Sequence, residues 1–163
     1  MKPHHEGQMI IEHPNRAKAS SKTSRLIMVL LLLGSAGLIG LIIIGGWSVL
    51  MGMKIIAIGW VLLYLLFAFY VARWNRGVLP VVAALSIIML IFAVIAVPTW
   101  VDRDSASYAS SALSAGLLAT LTAILVALQA VMCVFAMHAF NQQWNVEVEH
   151  YPAEEPDYVP LGV

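Results

Sequence analysis

The chain has 163 residues, 61% of them hydrophobic and only 11% charged, and its nine basic and nine acidic side chains give a net charge of zero. Soluble domains carry about 25% charged residues, so this composition excludes a protein whose whole surface faces water. An integral membrane protein is the class that remains, expected as an all-α four-helix bundle.

Residues 1–25 read as a polar N-terminal tail with no strand or helix periodicity. His4, His5 and His13 look like a loose metal cluster, but their spacing matches no zinc pattern, and a polar tail is the expected reading. The first apolar run is 26–46, "LIMVLLLLGSAGLIGLIIIGG". Three more follow at 55–72, 78–97 and 112–140, and each is close to or beyond the ~20 residues that a membrane-crossing helix needs. The fourth is long for a minimal span and is expected to tilt or to project a turn. The first run also exceeds the apolar stretch of a cleaved leader, about 7–15 residues.

The basic residues are distributed unevenly. Lys2, Arg16, Lys18, Lys22, Arg25, Arg73 and Arg76 fall on one side of the expected spans, and only Lys54 and Arg103 on the other. The positive-inside rule then predicts both termini to be cytoplasmic. Residues 1–25 carry +3 and residues 141–163 carry −5. The basic segment is expected to be drawn to anionic lipid head groups. Topology accounts for these basic residues, so nucleic acid is not an expected partner.

Arg73, Trp74, Arg76 and Trp144 read as anchors at head-group level, where amphipathic rings and long cationic chains reach the interface. Trp47, Trp60, Tyr64 and Trp100 join them as an aromatic belt. The longest outer connection is expected at 98–111, with Asp102, Arg103 and Asp104 solvated and Ser110 or Ser111 capping the last helix. The 141–163 segment is acidic and Pro-rich. Pro152, Pro156 and Pro160 exclude a helix. With Tyr151 and Tyr158 they make an expected partner-binding tail, and the alternating "WNVEVEHY" suggests a short strand.

Chemistry inside the membrane normally appears as ionisable side chains within the spans, where each costs ~2.5 kcal/mol or more. None of the four spans contains Asp, Glu, Lys or Arg. That argues against a proton pump, a secondary transporter or an acid–base enzyme. His138, in "CVFAMHAFNQQW", is a structural or interfacial histidine in the main reading and a quinone or haem contact in the other. Cys133 is a lone thiol, read as a small buried side chain. No nucleophile, phosphate-loop or metalloprotease motif is present. The expectation is therefore no catalytic residue, no metal and no cofactor of its own, with structural phospholipid as the accompanying small molecule.

What the spans do offer is small residues. Ala115, Ala119, Ala123 and Ala127 recur every fourth position, with Gly116 and Thr120 beside them. Gly34, Gly37 and Gly40 recur every third, and Ala36 and Gly40 have small-xxx-small spacing. Helices in lipid associate by close approach rather than by hydrophobic drive, so these stripes read as packing interfaces, and Ala119→Leu or Ala123→Leu should separate backbones. Gln129 reads as a clasp on the flank of the alanine stripe, making one interhelical hydrogen bond.

The exit "FAMHAFNQQWNVEVE" and the four-span layout resemble small actinobacterial four-helix membrane proteins. Among these they resemble accessory subunits of the cytochrome bcc–aa3 respiratory supercomplex. The resemblance implies a non-catalytic subunit in the bacterial plasma membrane, bound to cytochrome bcc or terminal oxidase subunits that carry the haem and copper. Two other readings stand beside it. One is a small transporter or channel with a polar track of Ser114, Thr120, Thr122 and Gln129. The other is a membrane assembly factor or regulator.

Overall fold

The computed structural model describes residues 10–104 and 111–150. His4, His5, Tyr151, Pro152, Pro156, Tyr158 and Pro160 lie outside them. In chain order the elements are strand β1 (Ile10–Glu12), a one-turn helix α1 (Pro14–Ala17), and the long helices α2 (Ala19–Gly45) and α3 (Met53–Ala72). A single 3-10 turn at Arg76–Val78 then leads into α4 (Leu79–Asp104), followed by α5 (Ala115–Asn141) and strand β2 (Val148–His150). The four long helices are each long and apolar enough to cross a membrane, and the class is all-α.

Their bounds differ from the apolar runs in instructive ways. α2 begins seven residues before Leu26, at Ala19. The polar first turns are helical because Ser21 and Ser24 face the bundle and are buried there, while Lys22 and Thr23 point out. The reading of 1–25 as lacking helix and strand is corrected on this point and also by α1 and β1. β1 pairs antiparallel with β2, in the register Ile10↔His150, Ile11↔Glu149 and Glu12↔Val148.

The outer loop expected from residue 98 is corrected too, since α4 continues through Pro98 to Asp104. Pro98 cannot donate to the preceding turn, and next to it the Thr99 Oγ1 donates to the Ala96 carbonyl at 2.7 Å. Trp100, buried, fastens the turn beyond it. The cap of α5 is Ser114, not Ser110 or Ser111, and it accepts from the Leu117 amide.

The buried positions of α5 are Leu118, Thr122, Leu125, Gln129, Met132, Ala136 and Ala139, with Ala119 beside the first. Steps of four and three alternate, an average of 3.5 residues per turn, as in a coiled-coil seam. α4 buries Leu79, Val82, Ser86, Met89, Ala93 and Trp100 on the same rhythm. α2 packs on α3 and on α5, and α5 packs on α4 as well. The helices thus form an open ring in the order α3–α2–α5–α4. α3 and α4 are consecutive in the chain but stay apart at the backbone, meeting through side chains such as Trp60 against Phe92, 6.0 Å between ring centres.

Candidate functional site: a sealed clasp, a braced end and an open crevice

Gln129 is fully buried at the centre of the bundle. Its Oε1 accepts from the Tyr64 hydroxyl at 2.7 Å, and its Nε2 donates to Ser35 Oγ at 3.1 Å. One amide therefore ties α5 to α3 and α2 together. Two details of the sequence reading are corrected. Gln129 sits on the inward seam rather than on the flank of an alanine stripe. Tyr64 is not a belt residue; it stands mid-helix and fully buried.

The alanine stripe itself does not survive as a rail inside the bundle. Ala119 is buried, Ala115 is half-buried, and Ala123 and Ala127 are exposed, as are Gly116 and Thr120. At 3.6 residues per turn a four-residue step overshoots by about 40°. Three such steps carry Ala127 about 120° round from Ala115, while the seam, averaging 3.5, stays facing its neighbours. The glycine row of α2 is corrected in the same way. Ala36 is buried, but Gly34 and Gly37 are exposed, and a Cβ added at Gly34, Gly37 or Gly40 would meet nothing within 4 Å. The close approaches are at Gly45 and Gly46, where an added Cβ would strike Leu113 and the Trp100 ring. Their place at the turn after α2, where the chain must fold back under the start of α5, is the signal that could have found them.

The end of the bundle where α2 begins and α5 exits is braced by arginines. Arg76 Nε donates to the Phe140 carbonyl at 2.7 Å and Nη1 to Asn145 Oδ1 at 2.9 Å, with the guanidinium over the Phe140 ring at 4.1 Å. Arg16 Nε donates to the Trp144 carbonyl at 3.0 Å, and Arg25 Nη1 to the Ala72 carbonyl at 3.2 Å. Of the four expected interface anchors, two need correction. Arg76 braces the segment after α3 to the end of α5 rather than reaching free into water, and Trp144 is fully buried. Trp144 packs edge-on against Trp74, 5.4 Å between centres, and donates to Gln142 Oε1 at 3.0 Å. Arg73 remains exposed, over the Phe69 ring at 4.8 Å.

Trp74 ends α3 in the left-handed region, φ 63°. Its amide donates to Val71 and that of Asn75 to Tyr70, at 3.0 Å each, which is the Schellman arrangement usually given to glycine. The Trp144 ring on one side and the Arg25 guanidinium, 4.2 Å from the Trp74 ring centre, hold it there.

His138 is exposed one turn before the end of α5, its Nε2 3.3 Å from Gln142 Nε2, and that amide also donates to Ser24 Oγ at 2.8 Å. Gln142 thus links α5 to α2 and to Trp144, a junction that the sequence reading did not single out. Among the described residues no three His, Cys, Asp or Glu side chains converge.

The third feature is the space left by the open ring. Between α3 and α4 lies a crevice of about 130 Å³, floored by Ile39, Ile43 and Leu125 and walled by Met53, Trp60 and Phe92. Its lining is apolar apart from Thr122, whose hydroxyl is already donated to the Leu118 carbonyl at 2.7 Å. The Trp60 indole N–H meets the Tyr64 hydroxyl only loosely, short of hydrogen-bond geometry.

The four groups of the expected polar track are not brought to one face. Gln129 and Thr122 point inward, Thr120 points out and bonds the Gly116 carbonyl at 2.9 Å, and Ser114 caps the helix. No protein-family model matches the chain, and no curated protein or solved structure is significantly similar to it.

Proposed function

We propose that this multi-pass membrane protein is a non-catalytic accessory subunit of a larger membrane complex. The observation that carries the reading is the direction of its small residues. Gly34 and Gly37 on α2, and Gly116, Ala123 and Ala127 on α5, face away from the bundle they belong to. Lipid tails gain nothing from a glycine surface, whereas a neighbouring helix gains close backbone approach and dispersion. The three polar side chains that meet at its centre, Gln129, Tyr64 and Ser35, are spent on one another, which suits holding better than carrying or converting.

The finer assignment rests on the resemblance of the α5 exit. We read the complex as a respiratory assembly of cytochrome bcc and terminal oxidase in a bacterial plasma membrane, with both termini cytoplasmic. Gentle detergent extraction followed by native gels and mass spectrometry tests both levels. Co-migration with respiratory subunits in fixed ratio is expected. A partner of another kind would retain the accessory role and remove the respiratory one, and a lone monomer would remove both. Gly37→Leu together with Ala127→Leu should release the chain from the complex while its helix content is unchanged.

A further inference from the structure

The crevice between α3 and α4 continues at the end away from the arginine braces into a second recess of about 180 Å³. The two share Leu50, Met53, Ala96 and Trp100, and the outer one ends at Thr99 and Arg103. The result is one continuous slot, apolar along its depth and cationic at its mouth. A void of this size within a packed bundle forfeits dispersion contacts all along its walls. Water does not replace them, because the Trp60 indole is the one unpaired donor among the lining groups of the inner recess, and a held water needs two or more polar partners. A transmembrane helix, about 10 Å across, is far bulkier than recesses of about 130 and 180 Å³. A single hydrocarbon chain is the occupant whose bulk and polarity match.

The mouth specifies the rest of the molecule. Arg103 is half-buried there, its Nη1 on the Val49 carbonyl at 3.3 Å and its guanidinium 5.3 Å from the Trp100 ring centre. A guanidinium has five donors in a planar fork that suits phosphate, and this one stands where an amphiphile whose tail filled the slot would place its head. We propose that the α3–α4 slot is a binding site for one anionic phospholipid, one acyl chain lying between the two helices and the phosphate resting on Arg103.

The test uses the full-length protein, delipidated in detergent and titrated with phosphatidylglycerol or phosphatidylcholine while bound lipid is counted by native mass spectrometry. One phosphatidylglycerol should bind about tenfold more tightly than phosphatidylcholine. Arg103→Gln should bring the two lipids to parity. Ala57→Phe, which fills the slot, should remove both, and Arg73→Gln at the opposite end should change neither. A second readout covers the case in which Ala57→Phe does not fold: phosphatidylglycerol with brominated chains, at one equivalent, should quench tryptophan emission, and Trp60→Phe combined with Trp100→Phe, the two indoles that line the slot, should abolish most of that quenching. Equal affinity for the two lipids, an unchanged preference in Arg103→Gln, or quenching that survives the loss of both Trp60 and Trp100 would each overturn the proposal. So would a slot closed by a second copy of the chain, seen as a lipid-free dimer.

Discussion

The Tyr64 hydroxyl donates to Gln129 Oε1 at 2.7 Å, joining the middle of α3 to the middle of α5. Neither residue is ionisable near neutral pH, and each would be costly in hydrocarbon without the other. With Ser35 they make one chain of two hydrogen bonds through three helices.

Removing the central amide leaves the Tyr64 and Ser35 hydroxyls without it, whereas removing Tyr64 leaves the amide its bond to Ser35. Gln129→Leu should lower stability by about 1–3 kcal/mol, because the Tyr64 hydroxyl is then stranded. Tyr64→Phe should cost less, ~0.6–2 kcal/mol, since the amide keeps Ser35. Tyr64→Phe combined with Gln129→Leu should recover part of the loss. Denaturation of the purified variants by graded sodium dodecyl sulfate, followed by circular dichroism, measures all three. Simple addition of the two single losses in the double variant would show that the residues act independently.

The alanines separate by position. Ala119→Leu places bulk against Trp100 and Leu118, its neighbours in the buried cluster, and should destabilise the isolated bundle by about 1–3 kcal/mol. Ala123→Leu lies on the outer face and should stay within about 0.5 kcal/mol of the parent. Thermal unfolding in detergent distinguishes them, and equal losses at the two sites would mean that Ala123 is covered within the bundle.

Glycines divide in the same manner. Gly46→Ala and Gly45→Ala push a methyl into the Trp100 ring and Leu113, for an expected loss of about 1–3 kcal/mol. Gly34→Ala and Gly37→Ala enter open space in mid-helix and should gain about 0.5–1 kcal/mol through helix propensity. The melting temperatures of the four single variants should therefore fall into two groups of opposite sign. A loss of stability at Gly37 in the isolated protein would contradict its outward placement.

Arg76 is the hinge pin of the exit from α5. Arg76→Gln removes the bonds to Phe140 and Asn145 and the ring contact, and should raise amide hydrogen exchange over residues 141–150 about tenfold or more, a local cost of ~1.5–3 kcal/mol. Arg76→Lys should fall near it, because an ammonium cannot serve two acceptors through a fork. Exchange in the centre of α5 should be unchanged. Uniform acceleration along the whole helix would instead indicate global loosening.

Composition and run length alone decided the class: a chain this poor in charge, with four long uncharged stretches, has no stable option but helices in lipid, since backbone groups in hydrocarbon must bond within their own segment. The need for Gln129 to find a partner across helices was legible for the same reason. The partner itself was not, because Tyr64 lies 65 positions away and only the packing of both α3 and α5 on α2 brings it to 2.7 Å. Nor could counting by fours tell inward from outward small residues. That depended on which 3.5-residue seam the neighbouring helices selected, and a drift of about 40° per turn turned Ala123 and Ala127 out while Ala119 stayed in. The slot between α3 and α4 is likewise a property of the ring order, which follows from how four apolar surfaces share contact and is written in none of them singly.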